Sequence, residues 1–373
     1  MTPLKLGMVG GGQGAFIGGV HRMAARLDGC YELVAGSFAS DPARAHAFAG
    51  ELGIDKDRSY DDYTQMAKME SSRPDGIDVV SIVTPNYLHG PIAEAFLAEN
   101  IHVICDKPMT ATLAQAESLV AAASLSKASL FVTHNYTGYP MIRQAQQMVT
   151  EGALGDIQIV EANYLQDWLS KAPNPENKQA AWRNDPYQSG GGAIGDIGTH
   201  AYNLVGFVTG LRTSTLNATL HTHVEGRIVD DDARISLRFD GGARGHIWVS
   251  QVAIGNANNL TLAVYGTKGS IRWSQEDPNK LWYTKLGEPP VMHTRGGGFA
   301  YAAAEAVTRI PAGHPEGYLE AFATLYKEVA QVIMASETNH QNTVIGIEQG
   351  FDGVRFVDAC QKSSKAGAVW VEL

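Results

Sequence analysis

The stretch Leu4–Met23, LKLGMVGGGQGAFIGGVHRM, decides how the rest of the chain is read. Leu4 to Val9 is a short apolar run suited to a buried strand. Gly10-Gly11-Gly12 breaks it, and an amphipathic helix is expected from Val20 to Leu27. Strand, glycine turn and helix in that order open a βαβ unit. The alternation continues with a strand at Glu32–Ser37 and a helix at Pro42–Leu52, for which Asp41 is the N-cap and Pro42 the first helical residue. Strands follow at Val79–Val83 and His102–Cys105, a helix at Thr112–Ser124, and a last strand at Ser129–Thr133. Residues 1–133 therefore read as one α/β domain, a parallel sheet covered by helices on both faces.

From His134-Asn135 onward the pattern changes. Long alternating segments run from Ile157 to Tyr164, Thr213 to Thr222, Ala233 to Phe239, Ala243 to Val252 and Leu260 to Tyr265. Asp240-Gly241-Gly242 and Gly266-Thr267-Lys268-Gly269 supply turns between successive strands. Residues 134–373 thus read as an α+β domain with a mostly antiparallel sheet. The polar stretch Ser170 to Ser189 is expected to be a long loop over a site.

Composition bounds the function. At 373 residues the chain suits two domains, and a formal charge of −10 opposes attraction to nucleic acid or an anionic membrane. No apolar run approaches the roughly 18 residues a membrane span needs. The first residues run straight into a strand, from which cytoplasmic residence is expected. Cys30, Cys105 and Cys360 are far apart in sequence and lie in apolar contexts, so they read as reduced packing residues. No metal site is expected: His221 and His223 would project together from a strand but lack an evident third ligand, and Asp230-Asp231-Asp232 reads as a solvated edge.

A glycine turn after the first strand can hold a dinucleotide. One glycine permits the tight turn, a second lets the backbone approach the pyrophosphate, and a later small residue brings helix against strand. Gly10 and Gly12 fill the first two roles, and either Ala15 or Gly18 the third. Gln13, Phe16 and Ile17 belong to the same turn. The second strand ends in Gly36-Ser37-Phe38-Ala39-Ser40, with no acid before Asp41 and with Arg44 one turn on, so NAD and NADP both stay open as the cofactor.

Four motifs in order then carry a resemblance: the glycine turn, Thr84-Pro85-Asn86-x-x-His89, Asp106-Lys107-Pro108, and Gly190-Gly191-Gly192 leading to Asp196-x-Gly198-x-His200. Over nearly its whole length the chain resembles the glucose-fructose oxidoreductase, inositol dehydrogenase and MocA family, although Asp106 stands where Glu is commoner and the turn from Gly10 to Gly18 is stretched. The resemblance implies a Rossmann domain, a C-terminal domain with a large open sheet that packs in dimers or tetramers, and an NAD(P)-dependent enzyme acting on one hydroxyl of a sugar or cyclitol. A redox-neutral glycoside hydrolase with retained NAD is the alternative of the same fold. A non-catalytic sensor would not need both Lys107 and His200.

Removing hydride from a secondary alcohol requires a base and positive charge near the developing alkoxide. His200 is assigned as base, because imidazole titrates nearest neutral pH, and Lys107 as the polarising cation; the reverse assignment stays open. Asp196, four residues before His200, is expected to bind a sugar hydroxyl, orient the imidazole or cap the helix. Thr84, Pro85, Asn86, His89, Asp106 and Asn135 are expected near the cofactor, with Ser37, Ser40 and Arg44 at its ribose. Tyr136, Trp168, Trp182 and Arg183 are the expected substrate contacts, while His314-Pro315-Glu316-Gly317-Tyr318 should start a helix.

Overall fold

The computed structural model describes residues 2–172, 185–335 and 344–373. It divides into two compact units, Met1–His134 with Phe322–Asp352, and Asn135–Ala321 with Gly353–Leu373. The return of the chain to the first unit over Phe322–Asp352 is a second crossing that a single boundary at 133/134 does not include. Trp182 and Arg183 lie outside the described residues. Among those described, no helix is long and apolar enough to cross a membrane.

The first unit is built on five parallel strands, β1 (Leu4–Gly10), β2 (Tyr31–Ser37), β3 (Val79–Val83), β4 (His102–Cys105) and β5 (Leu130–Val132), in the order β2-β1-β3-β4-β5. A parallel bridge from Gly36 to Ser59 extends the edge beyond β2. Between the strands run α1 (Phe16–Leu27), α2 (Pro42–Glu51), α3 (Tyr63–Ser72), α4 (His89–Ala98) and α5 (Leu113–Leu125). All five residues of β3 are buried, as a strand covered on both faces requires. Asp41 caps α2 by accepting the Arg44 N–H at 2.8 Å, and Thr112 caps α5. The strand order reverses between β1 and β3, where the Gly10 turn and the Thr84 loop both begin, and such a switch point is where open α/β sheets take their ligands.

Helix α1 starts four residues earlier than its periodicity suggests, with Ala15 as N-cap. The reason is tertiary. A Cβ on Gly18 would lie 2.4 Å from Gly11 Cα and 2.7 Å from Gly11 O, so a glycine inside the helix lets α1 pack directly on the turn. Gly18, not Ala15, brings helix against strand.

The second unit carries a nine-stranded sheet. Its strands are β6 (Ile157–Leu165), β7 (Thr213–His221), β8 (Asp232–Phe239), β9 (Arg244–Ser250), β10 (Asn259–Gly266), β11 (Gly269–Ser274), β12 (Lys280–Lys285), β13 (Val291–Thr294) and β14 (Val371–Glu372), ordered β13-β12-β11-β10-β6-β9-β8-β7-β14. Only β6 and β9 pair in parallel. Alternation puts Leu260, Leu262, Val264, Ile235, Leu237, Ile271 and Leu281 on one face. There they share a core with Met141, Ile142 and Met148 of α6 (Pro140–Thr150) and Leu204, Val205 and Val208 of α7 (Thr199–Thr209). Each fully buried aliphatic side chain contributes roughly 1.5–3 kcal/mol of transfer free energy. The other face carries Arg234, Arg238, His246, Arg272 and Trp282, with the Arg234 guanidinium 4.4 Å from the Trp248 ring centre.

Helix α8 (Tyr318–Met334) starts where the His314–Tyr318 segment is expected to begin one, and α9 (Ile347–Lys365) precedes β14. None of the three cysteines forms a disulfide. Cys105 and Cys360 are buried, whereas Cys30 is half-buried, its thiol 3.7 Å from the Asp28 carbonyl oxygen.

Replacing Gly18 with alanine gains about 1 kcal/mol of helix propensity but forces one backbone off another, a strain of about 1–3 kcal/mol. Denaturant unfolding of Gly18→Ala should therefore show a net loss of stability. A gain would mean that α1 does not press on Gly11 as described.

Candidate active site

The first unit gathers its polar groups at the carboxyl ends of β1, β3 and β4. Gly10 turns with φ +83°, and a Cβ there would meet Val83 O at 2.9 Å; a Cβ on Gly12 would meet Phe38 O at 2.6 Å. The N-terminus of α1 has no acidic residue in its first turn, and Ala15 offers no side-chain acceptor. Its backbone N–H groups and positive dipole end thus suit a phosphate group. Arg22 ties the turn down by donating from Nη1 to Gly11 O at 2.7 Å. Within this unit, Thr84 Oγ1 is buried without a hydrogen-bond partner, as befits a group kept for a ligand. Ser37 is buried at the end of β2, Ser40 and Arg44 are exposed, and Gln13 and Phe16 are exposed on the turn while Ile17 is half-buried. These residues fit a dinucleotide.

Asp106 and Lys107 follow β4, and the Lys107–Pro108 bond is cis. The Asp106 carboxylate accepts the Lys107 N–H and the Thr133 hydroxyl, both at 2.9 Å, and lies 3.7 Å from His21 Nε2. His21 is fully buried on α1, and its Nδ1 pairs with the Tyr326 hydroxyl at 2.8 Å. Burial alone would raise the Asp106 pKa, but the nearby His21, then Lys107 and His89, hold it well below the usual carboxylate range. His89 lies between two loops, Nδ1 at 2.7 Å from Pro108 O and Nε2 at 2.9 Å from Thr84 O, so it joins the loops after β3 and β4. Burial, then the charge of Lys107, pushes His134 down to about 3, which keeps that ring neutral at physiological pH. Asn86 is buried on the 3-10 turn after Pro85.

The second unit carries Asp196 and His200 on a continuous helical segment that opens as a π turn, Ile194–Gly198, and becomes α7. The π turn is absent from any reading of the spacing. His200 is buried, its ring edge-on to Tyr136 at 4.8 Å between centres. Asp196 Oδ2 accepts the Gln251 side-chain N–H at 2.9 Å. Beside them is a network of neutral polar groups. The Tyr136 and Tyr164 hydroxyls share a hydrogen bond. Tyr164 and Gln166 donate to Asn258 Oδ1 at 2.8 and 2.7 Å, and Trp168 donates to Gln166 at 2.9 Å. Tyr136 is buried behind His200 in this network, while Trp168 is exposed.

Several of these residues are invisible to spacing. Gln166, Gln251 and Asn258 belong to alternating or turn segments and match no motif, and His21 is one polar position on an amphipathic helix. One expectation is corrected. Asp230-Asp231-Asp232 is not a solvated edge: Asp231 and Asp232 are buried, Asp231 pairs with Arg227 at 3.1 Å, and Asp230 accepts two backbone N–H groups. Three consecutive charges look solvated until each is matched to a donor. His221 and His223 are exposed, and among the described residues no group of three His, Cys, Asp or Glu could hold a metal ion.

Comparison with known proteins gives the family. The family model described as "Oxidoreductase family, NAD-binding Rossmann fold" matches residues 4–134, and the GFO/IDH/MocA C-terminal domain matches residues 142–272. The chain belongs to the GFO/IDH/MocA oxidoreductase family, and its first unit is an NAD-binding Rossmann domain. It is 48% identical to an oxidoreductase from Sinorhizobium meliloti, with a TM-score of 0.91 and all of both chains covered. An inositol dehydrogenase homologue from Azotobacter vinelandii, crystallised with NADH and myo-inositol, is 36% identical with a TM-score of 0.93, over 100% of this chain and 98% of that one. Levoglucosan dehydrogenase of Pseudarthrobacter phenanthrenivorans is 29% identical over 306 residues, 75% of this chain and 76% of its own.

A depressed carboxylate pKa stabilises the fold above the ordinary value of about 3.9 and ceases to do so as pH falls towards the native value. The melting-temperature difference between wild type and Asp106→Asn should be widest near neutral pH and shrink below about pH 4. A difference independent of pH would mean that Asp106 is not held ionised by its neighbours.

Proposed function

We propose that this protein is an NAD-dependent dehydrogenase that oxidises a secondary hydroxyl of a cyclitol or pyranose ring, with Lys107, Asp196 and His200 at the reacting hydroxyl. The observation that carries the reading is the Azotobacter homologue bound to NADH and myo-inositol, similar to this chain along its full length. The levoglucosan dehydrogenase relative supports extending the substrate class to pyranose rings.

The residues divide the work by their chemistry. His200 takes the hydroxyl proton as general base, its ring held against Tyr136. Lys107 places a positive charge on the oxygen as negative charge develops there, and Asp106 fixes the backbone that carries it. Asp196, held by Gln251, accepts a hydrogen bond from a ring hydroxyl. Thr84, Asn86 and the Gly10–Gly12 turn hold the cofactor, with pyrophosphate at the start of α1. NAD, when bound, supplies the hydride acceptor. Amide and hydroxyl groups of Gln166, Asn258 and Tyr164 offer the mixed donors and acceptors that a polyol needs, and the exposed ring of Trp168 offers an apolar face.

Lys107→Ala and His200→Ala should each lower kcat by about 10²–10⁴-fold while NADH binding, read by nicotinamide fluorescence, persists. Unchanged turnover in either variant would remove that residue from the chemistry.

A further inference from the structure

We propose that Asp230 is a positioning residue for the catalytic turn, acting as the N-cap of the helical segment that carries Asp196 and His200. The inference rests on the function proposed above for those two residues.

The segment starts at Ile194, and its own N-cap position is Ala193, which has no side-chain acceptor. The donors at its start are instead met from the residue just before the connection into β8. Gly192 N–H donates to Asp230 Oδ1 at 2.9 Å, Ile194 N–H to Asp230 Oδ2 at 2.7 Å, and the intervening Ala193 N–H to the Asp230 backbone oxygen at 2.8 Å. Three consecutive N–H groups end on one residue. A carboxylate at a helix N-terminus gains both the hydrogen bonds and the dipole.

The fit is specific in both directions. A Cβ on Gly192 would lie 1.8 Å from Asp230 O, so any side chain at 192 would expel the cap. Asp230 is also held from behind. Its neighbour Asp231 is fully buried, accepting the His223 and Val224 N–H groups at 2.9 and 3.0 Å and pairing with Arg227. The Gln251 backbone N–H donates to Asp231 O at 2.8 Å, and the Gln251 side chain holds Asp196. One strap thus sets the start of the helix through Asp230 and the Asp196 carboxylate through Gln251. Gln361 Nε2 adds a third tie, donating to Gly190 O at 3.0 Å.

The test compares Asp230→Ala and Asp230→Asn with wild type on whichever polyol the wild type oxidises. Displacing a reacting group by about 1 Å costs on the order of 100-fold in rate, so the alanine variant should lose about that much kcat with the KM for NAD unchanged. The Asp230→Asn side chain keeps one acceptor oxygen, and that variant should recover part of the loss. A folded alanine variant with wild-type kcat overturns the proposal. So does a kcat loss matched by an equal rise in the KM for NAD, which reports general disruption. If the alanine variant does not fold, the asparagine variant alone decides by the same split. If wild type oxidises no polyol, the proposed function fails and not this inference, which a crystal structure of Asp230→Asn then reads directly. A shifted Gly190–His200 segment supports it, and a superimposable one overturns it.

Discussion

A helix begins with N–H groups that no turn of its own can satisfy, and this protein depends on how it completes two such starts. At α1 the N-cap is Ala15, the first turn holds no acid, and glycines clear the backbone around it. The groups left there suit a ligand phosphate. At Ile194 the N-cap is again an alanine, but Asp230 closes the start from another segment. The first opening suits a ligand phosphate, and the second fixes the segment that carries Asp196 and His200.

Close backbone approach makes both arrangements feasible. Gly18 lies on Gly11, and Gly192 on Asp230, each nearer than a Cβ allows. Glycine within a helix costs about 1 kcal/mol relative to alanine, a small sum against losing the only geometry in which turn and helix meet. The charged groups follow the same economy of placement. Asp106 is ionised inside the protein because His21, Lys107 and His89 surround it, and the Lys107 backbone is anchored to that same carboxylate.

Much of the fold was legible in the chain. β3 and β4 begin and end where their apolar runs do, and Asp41 caps its helix as its residue type suggests, while Thr112, read as the first helical residue, is the cap of α5. What was not legible is tertiary. The start of α1 was obscured because Gly18-Gly19 reads locally as a break, and only contact with Gly11 explains a glycine there. The π turn at Ile194 has no spacing signature. Asp230 looked solvated because its donors lie 36 and 38 residues away in sequence. Lys107, Asp196 and His200 stand out in the sequence as motif positions, whereas Gln251, which holds Asp196, and His21, which lies beside Asp106, are ordinary polar residues until each unit folds around them.

The central property of this protein to measure is the passage of hydride from a ring alcohol to NAD. Purified protein with NAD and a panel of inositols, hexoses, anhydrosugars and glycosides, followed by the absorbance of reduced nicotinamide, measures this. Accumulation of NADH with one stereochemical set of cyclitols or pyranoses is the predicted result. Release of aglycone from a glycoside with no net NADH, and no reduction by any ring alcohol, would contradict it.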